Sequence, residues 1–172
     1  MIFTVKSKLV YGNKWVKLYE DLVKNKDGKL ASFIRLGFHD VVEVVPIFGD
    51  DSVLMVKNYR HGVHQIILEL PAGYVEKNET LASSARRELL EETGYSCINL
   101  KKMGWYYNMP SRSKQKINVF VARGLKLTAG QNLDDFEDIS VIRLSKHQVK
   151  KKIKNGEIRN SSVIAALRLA GF

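Results

Sequence analysis

The sequence predicts a protein with one hydrophobic core in the α/β (α+β) class, with a mixed β-sheet and few helices. Its 172 residues are 45% hydrophobic and 27% charged, which is typical of a compact globular chain. Short β-rich runs recur along the chain and outnumber the segments with helical periodicity. No repeat, linker or low-complexity tract interrupts this series, so we expect one main domain with a small extension.

The extension is predicted over residues 1–38. Residues 8–38 have the pattern of an antiparallel hairpin or meander, because strand-forming side chains between Trp15 and Val23 are followed by an Asp27-Gly28 turn. The remaining residues, 39–172, are expected to form the main domain. Its predicted strands are Val41–Phe48, Val53–Tyr59, Gln65–Leu70, Ile98–Met103, Ile117–Ala122 and Ile139–Leu144.

Three helices complete the predicted main domain. The first is expected over Thr80–Thr93, since Thr80 suits the N-cap, apolar residues recur every four positions, and Gly94 suits a left-handed C-terminal position. A basic helix is expected over 146–154 and a closing helix over 157–169.

Three glutamates, Glu88, Glu91 and Glu92, are spaced i, i+3 and i+4 in the last turns of the first predicted helix. This spacing places their carboxylates on one stripe, where they repel each other and face the negative end of the helix dipole. A solvated acidic face is one interpretation. The other is a cation site, for which Mg²⁺ or Mn²⁺ is suited because both prefer oxygen ligands.

The glutamates belong to a longer pattern that favours the cation site. It consists of Gly73, five residues, Glu79, seven residues, Arg87-Glu88-Leu89, one residue, Glu91-Glu92, one residue and Gly94-Tyr95. The segment fills every specified position of a Nudix box and so resembles that motif. The resemblance implies a Nudix-type α/β/α sandwich over 39–172 and a metal-dependent pyrophosphohydrolase.

Residues around the box narrow the resemblance. The segments Glu69–Gly73 and Asn58–Arg60, and also Pro110, resemble the ADP-ribose pyrophosphatase and nucleoside diphosphate sugar hydrolase branch. This branch implies that ADP-ribose is hydrolysed to AMP and ribose 5-phosphate, with GDP-mannose and other nucleotide sugars as alternatives. It also implies a homodimer in which the extension exchanges strands between subunits.

The resemblance further implies the roles of the box residues. Glu88 and Glu92 would be the principal metal ligands, Glu91 a further ligand or orienting base, and the main-chain carbonyl of Ala72 another ligand. Arg87 can form an ion pair with a neighbouring box glutamate, so its expected task is to orient the acids.

Four residues outside the box are candidates for binding the substrate. Arg60 and Arg112 could bind its phosphates, because a guanidinium forms paired hydrogen bonds with phosphate oxygens. Trp15 and Tyr19 lie in the region where the branch builds its nucleoside pocket, although either ring could instead belong to the core.

One departure from the branch concerns the general base. The branch usually has a glutamate in the loop before the strand at Ile117, whereas this chain has Ser113-Lys114-Gln115-Lys116 there. Gln115 is not a useful proton acceptor near pH 7. Either Glu91 or another carboxylate would take that role, or the metal-bound water would need less help from a base.

The net charge of +10 keeps other functions open. A positive surface attracts a diphosphate, but it also attracts nucleic acid, so a non-hydrolysing Nudix-like binding module and an enzyme for capped RNA remain alternatives. No apolar stretch is long enough to cross a bilayer and no secretory signal is evident, so we expect a cytoplasmic protein. Cys97, the single cysteine, is expected to be a buried thiol without function.

Overall fold

The computed structural model describes all residues from 1 to 172. Its contacts divide the chain into two compact units. The first contains Met1–Asp40 and Tyr106–Lys116, and the second contains Val41–Trp105 and Ile117–Phe172. The expected boundary after residue 38 lies close to this division, which in addition assigns Tyr106–Lys116 to the first unit.

The first unit is an antiparallel three-stranded sheet. Its strands, in spatial order, are β1 (Ile2–Gly12), β2 (Lys17–Asn25) and β3 (Leu30–Gly37). The predicted meander is confirmed, but its start at residue 8 is wrong, because pairing of β1 with β2 extends back to Ile2 opposite Asn25. Every residue of β1 is exposed, so the apolar patterns used for prediction gave no signal there.

The second unit contains two further sheets. Its strands are β4 (Val41–Pro46), β5 (Val53–Arg60), β6 (Gln65–Glu69), β7 (Ala72–Tyr74), β8 (Tyr95–Tyr107), β9 (Lys116–Leu127) and β10 (Ile139–Leu144). The last two residues of β8 and the first residue of β9 are assigned to the first unit. The four-stranded sheet has the order β7-β4-β9-β8 and is mixed, since β4 runs parallel to β9 and antiparallel to β7. The three-stranded sheet has the order β10-β5-β6 and is antiparallel.

Three helices belong to the second unit, and they are α1 (Leu81–Thr93), α2 (Lys146–Lys154) and α3 (Ser161–Leu169). Helix α1 has the predicted ends, because Thr80 caps the backbone N–H of Ser83 and Gly94 adopts a left-handed φ of 75°. The closing helix begins at Ser161 rather than at residue 157, since the side chain of Asn160 provides its N-cap.

Strand β4 shows how the helices and the mixed sheet form layers. Val42 and Val44 pack in one buried cluster with Ala85 and Leu89 of α1. Glu43 points to the opposite face, because side chains alternate along a strand, and it accepts a hydrogen bond from a serine of α3. Helices therefore cover both faces at β4, as expected for an α/β/α sandwich. The structure contains no helix with the length and apolarity needed to span a membrane.

Candidate active site

Two of the three predicted glutamates are buried at the end of α1. Glu88 and Glu92 are 9% and 3% exposed, respectively, whereas the side chain of Glu91 is 35% exposed. Leu89, which follows Glu88, is completely buried and anchors this part of the helix to the β4 cluster. Packing of α1 against the sheet therefore draws Glu88 and Glu92, one helical turn apart, out of solvent.

The backbone of β7 lies directly against these two carboxylates. The N–H of Ala72 donates a hydrogen bond to Oε2 of Glu92 over 3.3 Å. At Gly73, a Cβ atom would lie only 2.0 Å from Oε1 of Glu88. Only glycine leaves room for the Glu88 carboxylate at this point. This is a steric reason for the glycine at the first position of the box. The predicted role of the Ala72 carbonyl as a metal ligand stays a prediction.

Arg87 connects the acids to one another. Its guanidinium donates to both carboxylate oxygens of Glu79 at 2.9 and 3.0 Å, to Glu88 at 2.8 Å and to Glu91 at 2.9 Å. A further hydrogen bond of 3.1 Å reaches the main-chain oxygen of Tyr74. Hydrogen bonds from Arg87 are the main reason that the pKa of Glu79 is lowered to about 2. Arg87 is thus placed to orient the acids.

The electrostatics of the buried pair favour a cation. Burial is the largest cause that raises the pKa of Glu88 to about 7 and the pKa of Glu92 to about 9. The negative charge of Glu88 raises the pKa of Glu92 further. Two desolvated carboxylates one turn apart are stabilised in their charged forms by a nearby positive ion.

The donor set at this place fits a hard divalent ion. Carboxylate oxygens of Glu88 and Glu92 and main-chain oxygens near Ala72 are the ligands that Mg²⁺ and Mn²⁺ prefer. No three side chains of His, Cys, Asp or Glu are gathered around one point. Arg87 contacts Oε1 of Glu88 and Oε2 of Glu91, so it holds one oxygen of each carboxylate. The predicted role of Glu91 as a further ligand stays a prediction.

A further carboxylate, on the loop between β9 and β10, acts electrostatically on the buried acids. Backbone and side-chain hydrogen bonds tie this loop to the end of α1, because Asn132 donates to the main-chain oxygen of Glu91 and Gln131 to that of Glu92. Later in the loop lies Glu137, whose negative charge raises the pKa of both Glu88 and Glu92.

The sequence did not predict a role for Glu137, because the branch has its loop glutamate at the position of residues 113–116. Gln115 is buried in the first unit, where its amide donates to the main-chain oxygen of His39 over 2.7 Å. The signal that could have identified the other loop is its acidic composition, Asp134-Asp135-Phe136-Glu137-Asp138, immediately before β10.

Arg60 lies close to the acids in the same unit. It is the last residue of β5, and its Nε donates to Oε2 of Glu69 over 2.7 Å. Its positive charge lowers the pKa of Glu92, although burial of Glu92 has the larger and opposite effect. The Arg60 side chain is 46% exposed, so its guanidinium is open to a ligand.

The other predicted substrate residues belong to the first unit. Arg112 donates to the main-chain oxygen of Ile34 over 3.3 Å and lines a cavity of about 410 Å³. Trp15 is 51% exposed, with the amino group of Lys14 4.4 Å from its ring centroid. Arg35 lies over the ring of Tyr19 at 4.2 Å. The structure does not bring these residues together with the acids in one unit.

Comparison with known proteins identifies the family. The family model described as NUDIX domain matches residues 37–167, which is most of the chain. The chain belongs to the Nudix family. The sequence-based resemblance is therefore confirmed, and the box that begins at Gly73 lies within the matched region.

Three relatives of this Nudix chain have three different names. It is 30% identical to the methanol dehydrogenase activator of Bacillus methanolicus over 166 residues, 96% of this chain and 90% of that protein. It is 28% identical, with the same coverage, to the ADP-ribose pyrophosphatase of Bacillus subtilis. The GDP-mannose pyrophosphatase of Citrobacter koseri is 33% identical over 104 residues, 59% of this chain and 53% of that protein.

The fold is also similar to that of a solved structure. A crystal structure of an ADP compounds hydrolase superposes with a TM-score of 0.88 at 20% identity, covering 98% of this chain and 91% of that one. The Nudix chain is thus a pyrophosphohydrolase that resembles ADP-ribose pyrophosphatases. The expected mixed α/β Nudix fold is confirmed.

Proposed function

We propose that this Nudix enzyme hydrolyses the pyrophosphate bond of a nucleoside diphosphate sugar, and that ADP-ribose is converted to AMP and ribose 5-phosphate. The observation that carries the proposal is the pair of buried carboxylates, Glu88 and Glu92, against the backbone of β7 with Arg60 nearby. Such a site suits a metal-bound diphosphate. Relatives named ADP-ribose pyrophosphatase support the choice of substrate.

Glu88, Glu92 and the main-chain carbonyl of Ala72 would hold the divalent ion, Mg²⁺ or Mn²⁺. Glu91 would be a further ligand through Oε1, since Arg87 contacts its Oε2. When bound, the ion neutralises phosphate charge and makes water a better nucleophile. Arg87 keeps the acidic side chains in place through its hydrogen bonds to Glu88 and Glu91.

The other side chains act on the substrate and on the attacking water. The guanidinium of Arg60 binds phosphate oxygens of the diphosphate and fixes its orientation. The carboxylate of Glu137 accepts the proton of the water as its oxygen attacks phosphorus in line with the leaving phosphate. The loop that contains Glu137 is hydrogen-bonded to the end of α1 through Gln131 and Asn132.

A substrate panel tests the proposed function. With Mg²⁺, ADP-ribose should release AMP and ribose 5-phosphate, and excess EDTA should abolish the release. GDP-mannose, measured in parallel, decides between the two nucleotide-sugar alternatives. If no nucleoside diphosphate sugar is hydrolysed, the proposal is wrong. Salt-sensitive retention of RNA without hydrolysis would then support the binding module, and hydrolysis of capped RNA would support the third alternative.

Substitution of Glu137 by glutamine tests its role as proton acceptor. We expect kcat to fall by roughly 10² to 10⁴ with little change in KM, because general-base catalysis typically contributes that factor. Glu137 is exposed, so the thermal midpoint should stay within a few degrees. The matched control is Glu76→Gln, which removes an exposed carboxylate before α1 and should retain wild-type kcat. Equal rates for both variants would exclude Glu137 as the base.

We also propose that the enzyme is a homodimer formed through the first unit. Large apolar side chains of β1 are more than half exposed, namely Ile2, Phe3, Val5, Leu9, Val10 and Tyr11. An exposed apolar strand of this length is typical of a surface that a second protein covers. The protein that covers β1 would be a second copy of this chain. The chain mass is 19.6 kDa, and sedimentation equilibrium should give twice that mass. A fully active monomer would contradict the proposal.

A further inference from the structure

Asn160 uses both ends of its side-chain amide. As the N-cap of α3, its Oδ1 accepts a hydrogen bond from the backbone N–H of Ser162 over 3.0 Å. Its Nδ2 donates to Oε1 of Glu69 over 2.7 Å. The orientation of the amide follows from these partners, because an N–H requires an acceptor and a carboxylate requires a donor. Asn160 therefore connects the start of α3 to the end of β6.

Glu69 also contacts Arg60 and so connects it to Asn160. Its side chain is buried, and each of its two oxygens has its own donor. Oε1 accepts from Asn160, and Oε2 accepts from Nε of Arg60 over 2.7 Å. A carboxylate held at both oxygens cannot rotate freely, so the direction in which it holds Nε of Arg60 is defined by Asn160. The remaining donors of the guanidinium point away from Nε and can bind a ligand.

We propose that Asn160 is a positioning residue of the substrate site, which acts through Glu69 to hold the Arg60 guanidinium in place for the diphosphate. The inference rests on the proposed function, in which Arg60 binds phosphate oxygens. It adds the N-cap residue of α3, far along the sequence from the Nudix box, to the determinants of substrate affinity. The contribution is indirect, since Asn160 itself need not touch the substrate.

The variant Asn160→Asp separates positioning from capping. A carboxylate at this position still accepts the N–H of Ser162, and aspartate is as good an N-cap as asparagine. The second oxygen of the aspartate, however, would face Oε1 of Glu69 without a proton to donate. The cap is retained while the link to Glu69 becomes repulsive, so a loss of affinity would not result from loss of α3. The matched control is Asn99→Asp, which makes the same replacement at an exposed position of β8.

We expect Asn160→Asp to raise KM for ADP-ribose roughly tenfold and to change kcat less than about threefold, because the lost interaction is one of binding. The Kd for ADP-ribose in EDTA, where no turnover occurs, should rise by the same factor. Asn99→Asp should match the wild type. In an Arg60→Lys background, Asn160→Asp should add less than a twofold further increase, since two residues that act through one contact are not additive.

Several results would overturn the inference. One is an unchanged KM and Kd in Asn160→Asp. Another is the same fold increase in the Arg60→Lys background as in the wild type, which would mean that Asn160 acts independently of Arg60. A third is a large drop in the thermal midpoint together with a lower kcat, which would mean that Asn160 supports the fold rather than Arg60.

A substrate-independent measurement distinguishes this inference from the proposed function. The Nε–H resonance of Arg60, assigned by its absence in Arg60→Lys, should be protected from solvent exchange in the wild type and lose that protection in Asn160→Asp. If the wild type neither binds nor hydrolyses nucleotide sugars, the proposed function fails whatever this resonance shows, and the positioning role fails with it. If the wild type hydrolyses ADP-ribose but the resonance is unaffected by Asn160→Asp, only the positioning role fails.

Discussion

Replacement of Glu92 by glutamine is expected to abolish hydrolysis and at the same time to stabilise the metal-free protein. Removal of a proposed metal ligand should lower kcat/KM by about 10³ or more, because metal stabilisation of the transition state is worth several kcal/mol. The steric change is minimal, since glutamine has the shape of glutamate. The activity assay is nucleoside monophosphate release with Mg²⁺.

The gain in stability follows from the pKa of Glu92, which burial raises from 4.5 to about 9. Below pH 4.5 the carboxyl is protonated in both the folded and the unfolded chain, so burial of Glu92 as a charge does not lower the free energy of unfolding there. Between pH 4.5 and about 9 the unfolded chain loses a proton that the folded chain retains, and the free energy of unfolding falls as pH rises. Glutamine has no such dependence. The full pKa difference corresponds to about 5 kcal/mol at pH 8, but relaxation and water penetration around a buried charge reduce this cost. In EDTA the variant should therefore be at least about 2 kcal/mol more stable.

Thermal unfolding measures this effect. For a chain of this size, about 2 kcal/mol corresponds to a rise of roughly 4 to 8 °C in the midpoint. The difference between variant and wild type should shrink as the pH is lowered toward 4.5. Glu76→Gln, which alters an exposed carboxylate, should show neither the stabilisation nor the loss of activity. A Glu92→Gln protein that is less stable than the wild type at pH 8 would contradict burial as the cause of the raised pKa.

Addition of a single methyl group at Gly73 is the second change for which we expect a large effect. A Cβ at this position would lie 2.0 Å from Oε1 and 2.5 Å from Oε2 of Glu88. The carboxylate must move, because both distances are far below contact. A displacement of about 1 Å in a catalytic group can cost roughly 10² in rate, so Gly73→Ala should lower kcat/KM by about that factor.

The matched control for Gly73→Ala is Gly49→Ala. A Cβ at Gly49 meets no atom within 4 Å, and its φ is not positive, so the same substitution is tolerated there. Affinity for Mn²⁺, followed by electron paramagnetic resonance, should fall in Gly73→Ala and stay unchanged in Gly49→Ala. Wild-type activity and Mn²⁺ affinity in Gly73→Ala would show that the Glu88 carboxylate needs no contact with this backbone.

Local signals in the sequence were sufficient for α1. Its N-cap at Thr80, its left-handed end at Gly94 and the stripe of glutamates depend on residues within one or two turns of each other, and the structure has all of them. The mixed sheet was predicted for a similar reason, because strand signals are local even when the partners of a strand are not. The start of β1 was missed because an exposed strand has no apolar alternation.

Contacts between distant segments were decided by the tertiary structure alone. The pattern of residues around Gly73 predicts a site, but it does not show that the Glu88 carboxylate occupies the space of the missing side chain. Nor does it show that Glu137 and Arg60 both influence the buried Glu92, or that Asn160 donates a hydrogen bond to Glu69 from 91 residues away.

The sequence by itself thus determined the family, the acidic helix and the pyrophosphohydrolase chemistry of the family. The tertiary structure decided which glutamates are buried, which loop provides a further carboxylate and which residues orient Arg60. The physical reason is that caps, turns and helical stripes arise from short-range interactions, whereas burial and its effect on pKa depend on which segments pack together.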